Sequence, residues 1–136
     1  MDDPAIPPVA ADQPPLARLL GLRLVSATPD RVVAELTARP DLLNRNGMLH
    51  GGAIMALADN LGGTATFLNL APGEGTTTIE SKTNFFRAVP AGVTLTAVTT
   101  PLHRGRTTQV WQTALTLPDG RLAAQVTQTQ MVLQPR

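Results

Sequence analysis

A single long apolar segment, residues 50–70, constrains the fold of this chain more than any other feature. Within its sequence, HGGAIMALADNLGGTATFLNL, large apolar residues recur on or near one helical face: Ile54, Leu57, Leu61 and Leu68. The segment is short for a membrane span and contains Asp59 and several glycines, so it predicts a core helix rather than a transmembrane one. Such a helix needs a sheet to cover its apolar face.

Strand-like segments supply that sheet. Two short ones flank a TPD turn within residues 22–36, after a short helix predicted from PLARLLG at residues 15–21. Four long Thr- and Val-rich segments follow the central helix: residues 76–89, 92–104, 107–117 and 121–133. Turn sequences separate them, and PDG is a strong hairpin signal. We therefore expect strands linked by hairpins and an α+β fold, in which one curved antiparallel sheet wraps around one long helix.

The chain has 136 residues, which predicts one domain. We assign residues 15–136 to this domain and residues 1–14, an acidic and proline-rich stretch, to a flexible lead-in. The stretch lacks the basic and then apolar pattern of a secretory signal, and the chain has no cysteine. These features favour a cytoplasmic protein without a membrane anchor.

Composition argues against several classes of function. The 11 basic and 10 acidic residues are interspersed, and the only aromatic residues are three Phe and one Trp, so nucleic-acid binding is not expected. The two histidines, His50 and His103, are far apart and show no ligand spacing, so no metal site is expected either.

Asp59 is the only charged residue between Gly51 and Leu68. Its apolar neighbours predict that it is at least partly buried, and a buried carboxylate has to be partnered, protonated or functional. The alternative is a solvated residue on an exposed rim of the helix.

The sequence His50-Gly51-Gly52 opens the helix. A helix N-terminus presents free N–H groups and a partial positive charge, which suit a developing oxyanion, and glycine lets a substrate carbonyl approach closely. The alternatives are structural, because His50 would also serve as a helix cap and the glycines as a tight turn.

Spacing links Gly51 to Asp59. Eight residues of helix separate them by about 12 Å, at roughly 1.5 Å per residue, too far for both to reach one reacting atom. Two antiparallel helices related by a twofold axis would bring Asp59 of one chain to Gly51 of the other. If both residues serve one site, we expect at least a homodimer with two shared sites.

The segment NRNGMLHGGAIMALAD resembles the hotdog-fold acyl-CoA thioesterases, particularly the phenylacetate-pathway (PaaI-like) branch. The residues that carry the resemblance are Asn44, Gly47, His50-Gly51-Gly52 and Asp59, and it extends over about residues 15–133. It implies a hotdog fold, active sites between the chains of a dimer, and an acyl-CoA substrate. Hotdog dimers often pair further into tetramers, and the sequence leaves dimer and tetramer open. No cofactor is implied, since coenzyme A is part of the substrate and product.

The resemblance also implies roles for individual residues. Asp59 would attack the thioester carbonyl or activate water, and the Gly51 N–H would polarise the carbonyl oxygen. Asn44 would orient the thioester or the water, and His50 would support the thioester end. Where some relatives have a water-holding Ser or Thr, this chain has Glu80 next to Ser81, so the helper residue stays open between them. Glu80 is either a second acid near the site or a partner of a basic residue on the sheet.

Coenzyme A carries phosphate charges that Arg and Lys can bind. The candidate substrate-binding residues are Gly52, Glu80, Arg87, Val89, Pro90, His103, Arg104 and Arg106. For any single basic residue among them, ordinary surface charge is the alternative. The acyl group is expected near Met48, Met55, Leu61 and Phe67, and a plain core role is the alternative for these residues.

Other functions of the same fold fit less well. A hydratase would need a histidine further along the helix, and a serine hydrolase would need a G-x-S-x-G motif that is absent. A DNA-binding regulator would need a segment longer than the one before Pro15. A non-catalytic acyl-CoA binding or sensing protein remains the alternative to a thioesterase.

Overall fold

The computed structural model describes residues 6–136, which form three α-helices and six β-strands. The helices are α1 (Pro8–Ala11), α2 (Pro15–Leu20) and α3 (Gly51–Phe67). The strands are β1 (Arg23–Thr28), β2 (Arg31–Thr37), β3 (Gly75–Phe85), β4 (Thr94–Arg104), β5 (Thr108–Thr116) and β6 (Leu122–Leu133). All the elements predicted from residue 15 onward are present.

The six strands form one sheet in the order β1-β2-β4-β5-β6-β3, and every neighbouring pair is antiparallel. This confirms the predicted α+β architecture of one sheet and one long helix. The prediction that hairpins link all four long strands is wrong for β3 and β4. Because β2 and β5 occupy both sides of β4, β3 crosses over and pairs with β6 at the edge of the sheet.

The hydrophobic core lies between α3 and the sheet. Alternate residues of the central strands face the helix, among them Trp111, Leu115 and Val126, and all three are fully buried together with Leu57 and Leu61 of α3. Complete burial of a large apolar side chain contributes roughly 1.5–3 kcal/mol. This packing fixes the rotation of α3 about its axis, and therefore determines which helical residues remain accessible.

The predicted flexible lead-in differs from the structure. Pro8–Ala11 forms α1, and Ala10 is fully buried. Gln13 then connects this segment to α3, because its Oε1 accepts a 2.6 Å hydrogen bond from Asn60 Nδ2. The first part of the predicted lead-in, residues 1–5, lies outside the described residues.

Within residues 6–136, none of the helices is long and apolar enough to cross a membrane.

Candidate active site

Asp59 is exposed in the single chain, so the expectation that it is buried was wrong. The sheet covers only one side of α3, and Asp59 lies in the uncovered line Met55, Asp59, Gly63 and Phe67, spaced four residues apart. Met55 and Phe67 are also exposed. This line of four residues is called the open face of α3 below.

Two side chains from the sheet hold the Asp59 carboxylate. Thr78 Oγ1, on β3, donates a 2.7 Å hydrogen bond to Asp59 Oδ1. Gln128 Nε2, on β6, donates to the same oxygen at 3.2 Å and to the backbone carbonyl of Asp59 at 3.3 Å. Asp59 is therefore partnered, which was one of the outcomes expected for a carboxylate in this helix.

A second layer of contacts supports Thr78. Gln130 Nε2 donates to Thr78 Oγ1 at 2.6 Å, and Thr76 Oγ1 donates to Gln130 Oε1 at 3.0 Å. Because the Thr78 hydroxyl accepts from Gln130, its own proton is directed to Asp59. The hydrogen bonds thus run in one direction from Gln130 through Thr78 to the carboxylate, while the Thr76 hydroxyl also donates to the Met131 carbonyl oxygen at 2.9 Å.

The residue that reaches Asp59 from β3 is Thr78 and not Glu80, the position expected from the resemblance. A β-bulge between Thr78 and Glu80 shifts the register against β6, so Ile79 and Glu80 are both exposed. Within residues 6–136, Glu80 has no basic partner either.

His50 caps α3. Its Nδ1 accepts a 2.8 Å hydrogen bond from Gly52 N–H. In the described part of the chain, the neighbouring Gly51 N–H has no acceptor. The structural interpretation of His50 as a cap is confirmed, and the cap leaves the Gly51 N–H available at the positive end of the helix.

Asn44 organises the loop that leads to this helix end. Its Oδ1 accepts from the N–H groups of Asn46 at 2.8 Å and Met48 at 3.2 Å. Within residues 6–136, its Nδ2 group has no acceptor, so this amide group remains available as a donor.

Asp59 and Gly51 line two different clefts. The first, an open cleft of about 960 Å³, is bordered by Asp59, Gly63, Phe67, Thr78 and the N-terminal segment from Pro8 to Arg18. We call it the acid cleft. The second, of about 440 Å³, is lined by Asn44, Gly51, Phe85, Arg87 and Val89, among others, and we call it the amide cleft.

The remaining predicted residues are distributed unevenly. Arg87 and Val89 lie with Gly51 in the amide cleft, and Pro90 forms an isolated bridge with Met48 at its side. Neither cleft is lined by Gly52, His103, Arg104 or Arg106. Arg104 forms a 2.7 Å ion pair with Asp30 in the β1–β2 turn, as its alternative interpretation expects. Leu61, expected near the acyl group, is fully buried in the core.

Sequence reasoning missed Thr78, Gln128 and Gln130. A signal was present for the glutamines, since they alternate with Val126 on the buried face of β6, where polar side chains are unusual. Thr78 gave no such signal, because the segment TTTIESKT offers several equivalent hydroxyl groups.

Comparison with known proteins shows the family of the chain. The thioesterase superfamily model matches residues 46–124. A Mycobacterium tuberculosis protein assigned as an esterase is 34% identical over 108 residues, which are 77% of this chain and 76% of that protein.

Two solved structures are similar in fold and sequence. The Streptococcus mutans protein smu.793, bound to acetyl-CoA, has a TM-score of 0.78 and 28% identity, covering 85% of this chain and 90% of that one. A mutant of the phenylacetic acid degradation protein PaaI from Thermus thermophilus has a TM-score of 0.80 and 25% identity, covering 87% and 98%. The resemblance to PaaI-like hotdog thioesterases is thus confirmed: the chain belongs to the thioesterase superfamily and is a thioester hydrolase.

Proposed function

We propose that the protein hydrolyses the CoA thioester of a small aryl or medium-chain acid to the free acid and CoA, at a site shared between two copies of the chain. The observation that carries the proposal is that the carboxylate and the oxyanion donor of one chain lie apart. Asp59 lies in the acid cleft and the Gly51 N–H in the amide cleft. A thioester hydrolase needs the carboxylate and the oxyanion donor at one carbonyl.

A second copy would unite the two clefts. The open face of α3 lies beside β3, whose outer edge has no neighbouring strand among the described residues. Exposed apolar side chains mark this region, including Met55, Phe67 and Ile79. Unpaired strand edges favour pairing with another chain, and a twofold axis perpendicular to β3 at this edge would set each Asp59 beside the other copy's Gly51.

The chemistry then follows from the placement. The thioester oxygen would accept from the Gly51 N–H, where the helix dipole stabilises the charge that develops on it. The Asp59 carboxylate would either attack the carbonyl carbon, expelling the CoA thiolate before water cleaves the acyl-enzyme anhydride, or take a proton from an attacking water. Both routes give the free acid and CoA and need the carboxylate in the same place.

The amide cleft suits the thioester and carrier end of the substrate. The Asn44 Nδ2 group would orient the thioester or the water, and His50 would hold the helix end in place by its cap. Arg87 borders this cleft, where it would meet a phosphate group of CoA. His103, Arg104 and Arg106 would contact the carrier only if a neighbouring copy brings them to the site. The acetyl-CoA bound to the S. mutans protein supports this class of ligand.

The acid cleft suits the acyl group. It runs along the open face of α3 from Asp59 past Gly63 to Phe67, about 12 Å at roughly 1.5 Å per residue. Val9 of the N-terminal segment also borders it and is exposed. A cleft of this length, with apolar side chains such as Phe67 and Val9 among its polar ones, suits a medium-chain or aryl acyl group.

Thiol release from a panel of acyl-CoAs tests the proposal. Wild type should release CoA, and Asp59→Asn should lose at least about 100-fold in kcat while keeping the fold, since the two side chains have nearly the same shape. Asp41→Asn, which changes an exposed aspartate of the preceding loop, is the matched control. Tight binding of the esters by wild type without any release would identify an acyl-CoA binding protein instead.

Mixing two inactive variants tests the sharing of the site. Asp59→Asn and Asn44→Ala chains, unfolded and refolded together, should form hybrids with one doubly altered and one intact site. Because half of the dimers are hybrids, about a quarter of the wild-type activity should return. A mixture no more active than its components would place each complete site within one chain.

A further inference from the structure

We propose that Gln128, seated against Gly62 of α3, is the positioning residue that fixes Asp59 through Oδ1 and leaves Oδ2 as the oxygen that acts on the substrate or water. This inference rests on the proposed function, in which Asp59 performs the chemistry.

The Gln128 amide is a buried group aimed at an exposed carboxylate. Only 1% of the residue is exposed. Its Nε2 lies 3.2 Å from Asp59 Oδ1 and 3.3 Å from the Asp59 backbone oxygen. One amide therefore contacts both the backbone and the side chain of Asp59. These two contacts restrain the rotation of the carboxylate about its side-chain bonds.

Gly62 makes this contact possible. A methyl group at Gly62 would lie 2.2 Å from Gln128 Cδ and within 2.4 Å of both polar atoms of the amide. Glycine is unfavourable in the middle of a helix relative to alanine, so the close approach of the amide provides a physical reason for it here. Gly62 thus acts on Asp59 through Gln128.

Asp59 also determines the orientation of the amide. Gln128 Oε1 is buried and has no donor among residues 6–136. With the amide reversed, Oε1 would face the carboxylate oxygen, and two acceptors would repel each other. The hydrogen bond to Asp59 is therefore the polar contact that selects the observed orientation.

The two donors leave the carboxylate asymmetric. Thr78 and Gln128 both donate to Oδ1, and within the described part of the chain no group donates to Oδ2. Oδ1 is the anchored oxygen, and Oδ2 is free for the thioester carbon or a water. Positioning of this kind lowers the barrier by holding the reacting atom in place before substrate arrives.

Two substitutions separate positioning from a general effect on folding. Gln128→Met keeps the length of the side chain but removes its donor, and it leaves no donor unpaired because no group donates to Oε1. Since Asp59 would be free to rotate, kcat should fall about tenfold or more while KM changes less than about twofold. Gln125→Met, on the opposite face of β6, is the matched control and should retain wild-type kcat.

Gly62→Ala tests the same contact from the helix side. Its methyl group should displace the amide and lower kcat as Gln128→Met does. The double variant Gly62→Ala/Gln128→Ala should be no slower than Gln128→Ala alone, because the methyl group then has nothing to displace. Wild-type kcat for Gln128→Met, or additive losses in the double variant, would overturn the inference even if Asp59→Asn is inactive.

Crystal structures of wild type and Gly62→Ala decide the positioning independently of activity. We expect the Gln128–Asp59 contact to break and the carboxylate to rotate in the variant. An unchanged Asp59 rotamer would overturn the inference. If wild type releases no thiol from any ester, the proposed function fails. In that case the two crystal structures still show whether Gln128 positions Asp59.

Discussion

Thr78 Oγ1 donates a 2.7 Å hydrogen bond to Asp59 Oδ1 while accepting one from Gln130 Nε2. Because the hydroxyl accepts from Gln130, its single proton is donated to the Asp59 carboxylate. This contact makes Thr78 the residue of β3 that supports the candidate site.

Replacing Thr78 tests whether its hydroxyl supports catalysis and stability. Thr78→Val keeps the shape of the side chain but removes both hydrogen bonds, so we expect kcat to fall about tenfold and stability to fall by about 1–2 kcal/mol because the buried Gln130 amide loses an acceptor. Steady-state kinetics and denaturant unfolding measure the two effects. Thr127→Val, on the outer face of β6, is the control. Unaltered kinetics for Thr78→Val would remove the hydroxyl from the site.

Gly63 controls the space beside Asp59. A methyl group added there would meet no atom within 4 Å, so Gly63→Ala should fold at least as well as wild type, and the longer side chain of Gly63→Leu should extend into the acid cleft. The ratio of kcat/KM for octanoyl-CoA to that for acetyl-CoA should drop by about tenfold or more in Gly63→Leu, because its side chain occupies the acyl path. Equal losses for both esters would show that the acyl group lies elsewhere.

The free edge of β3 should mediate assembly. Ile79 is 56% exposed on this edge, and a lysine there would disfavour strand pairing between copies. Light scattering should show that wild type is a dimer or a multiple of one, and that Ile79→Lys is a monomer without thioesterase activity. Leu102→Lys is the control, since Leu102 is equally exposed, at 57%, but lies on the interior strand β4. A monomeric and active wild type would contradict the shared site.

The turn between β5 and β6 should carry a small acid-sensitive contribution to stability. The pKa of Asp119 lies below its ordinary value of 3.8. The largest cause is the hydrogen bond from the Arg121 backbone N–H, and the second is the hydrogen bond from the Arg121 side chain. A carboxylate with a lowered pKa stabilises the fold above its unfolded-state pKa, and this contribution is lost as the pH falls through the folded-state value. Asp119→Asn should therefore lower Tm slightly at pH 7 and have no effect in acid. A difference in Tm that persists in acid would assign it to the turn geometry instead.

Several features followed from the sequence alone. The apolar repeat in residues 50–70 predicted α3, alternation predicted the strands, and PDG predicted the β5–β6 hairpin. These signals are local, because helical and strand periodicity depend on neighbouring residues. The motif around His50 and Asp59 likewise indicated the family before any three-dimensional information, and it placed the oxyanion donor and the carboxylate too far apart for one chain.

The tertiary structure decided which residues meet. Alternation shows which face of a strand is buried but not which strand pairs with it, so the pairing of β3 with β6 was not predicted. Because of the bulge after Thr78, the β3 residue beside Asp59 is Thr78 and not the predicted Glu80. Gln128 reaches the same carboxylate from 69 positions along the chain, a contact that exists only because the sheet brings β6 under α3. Exposure of Asp59 was decided in the same way, by how far one sheet extends around one helix.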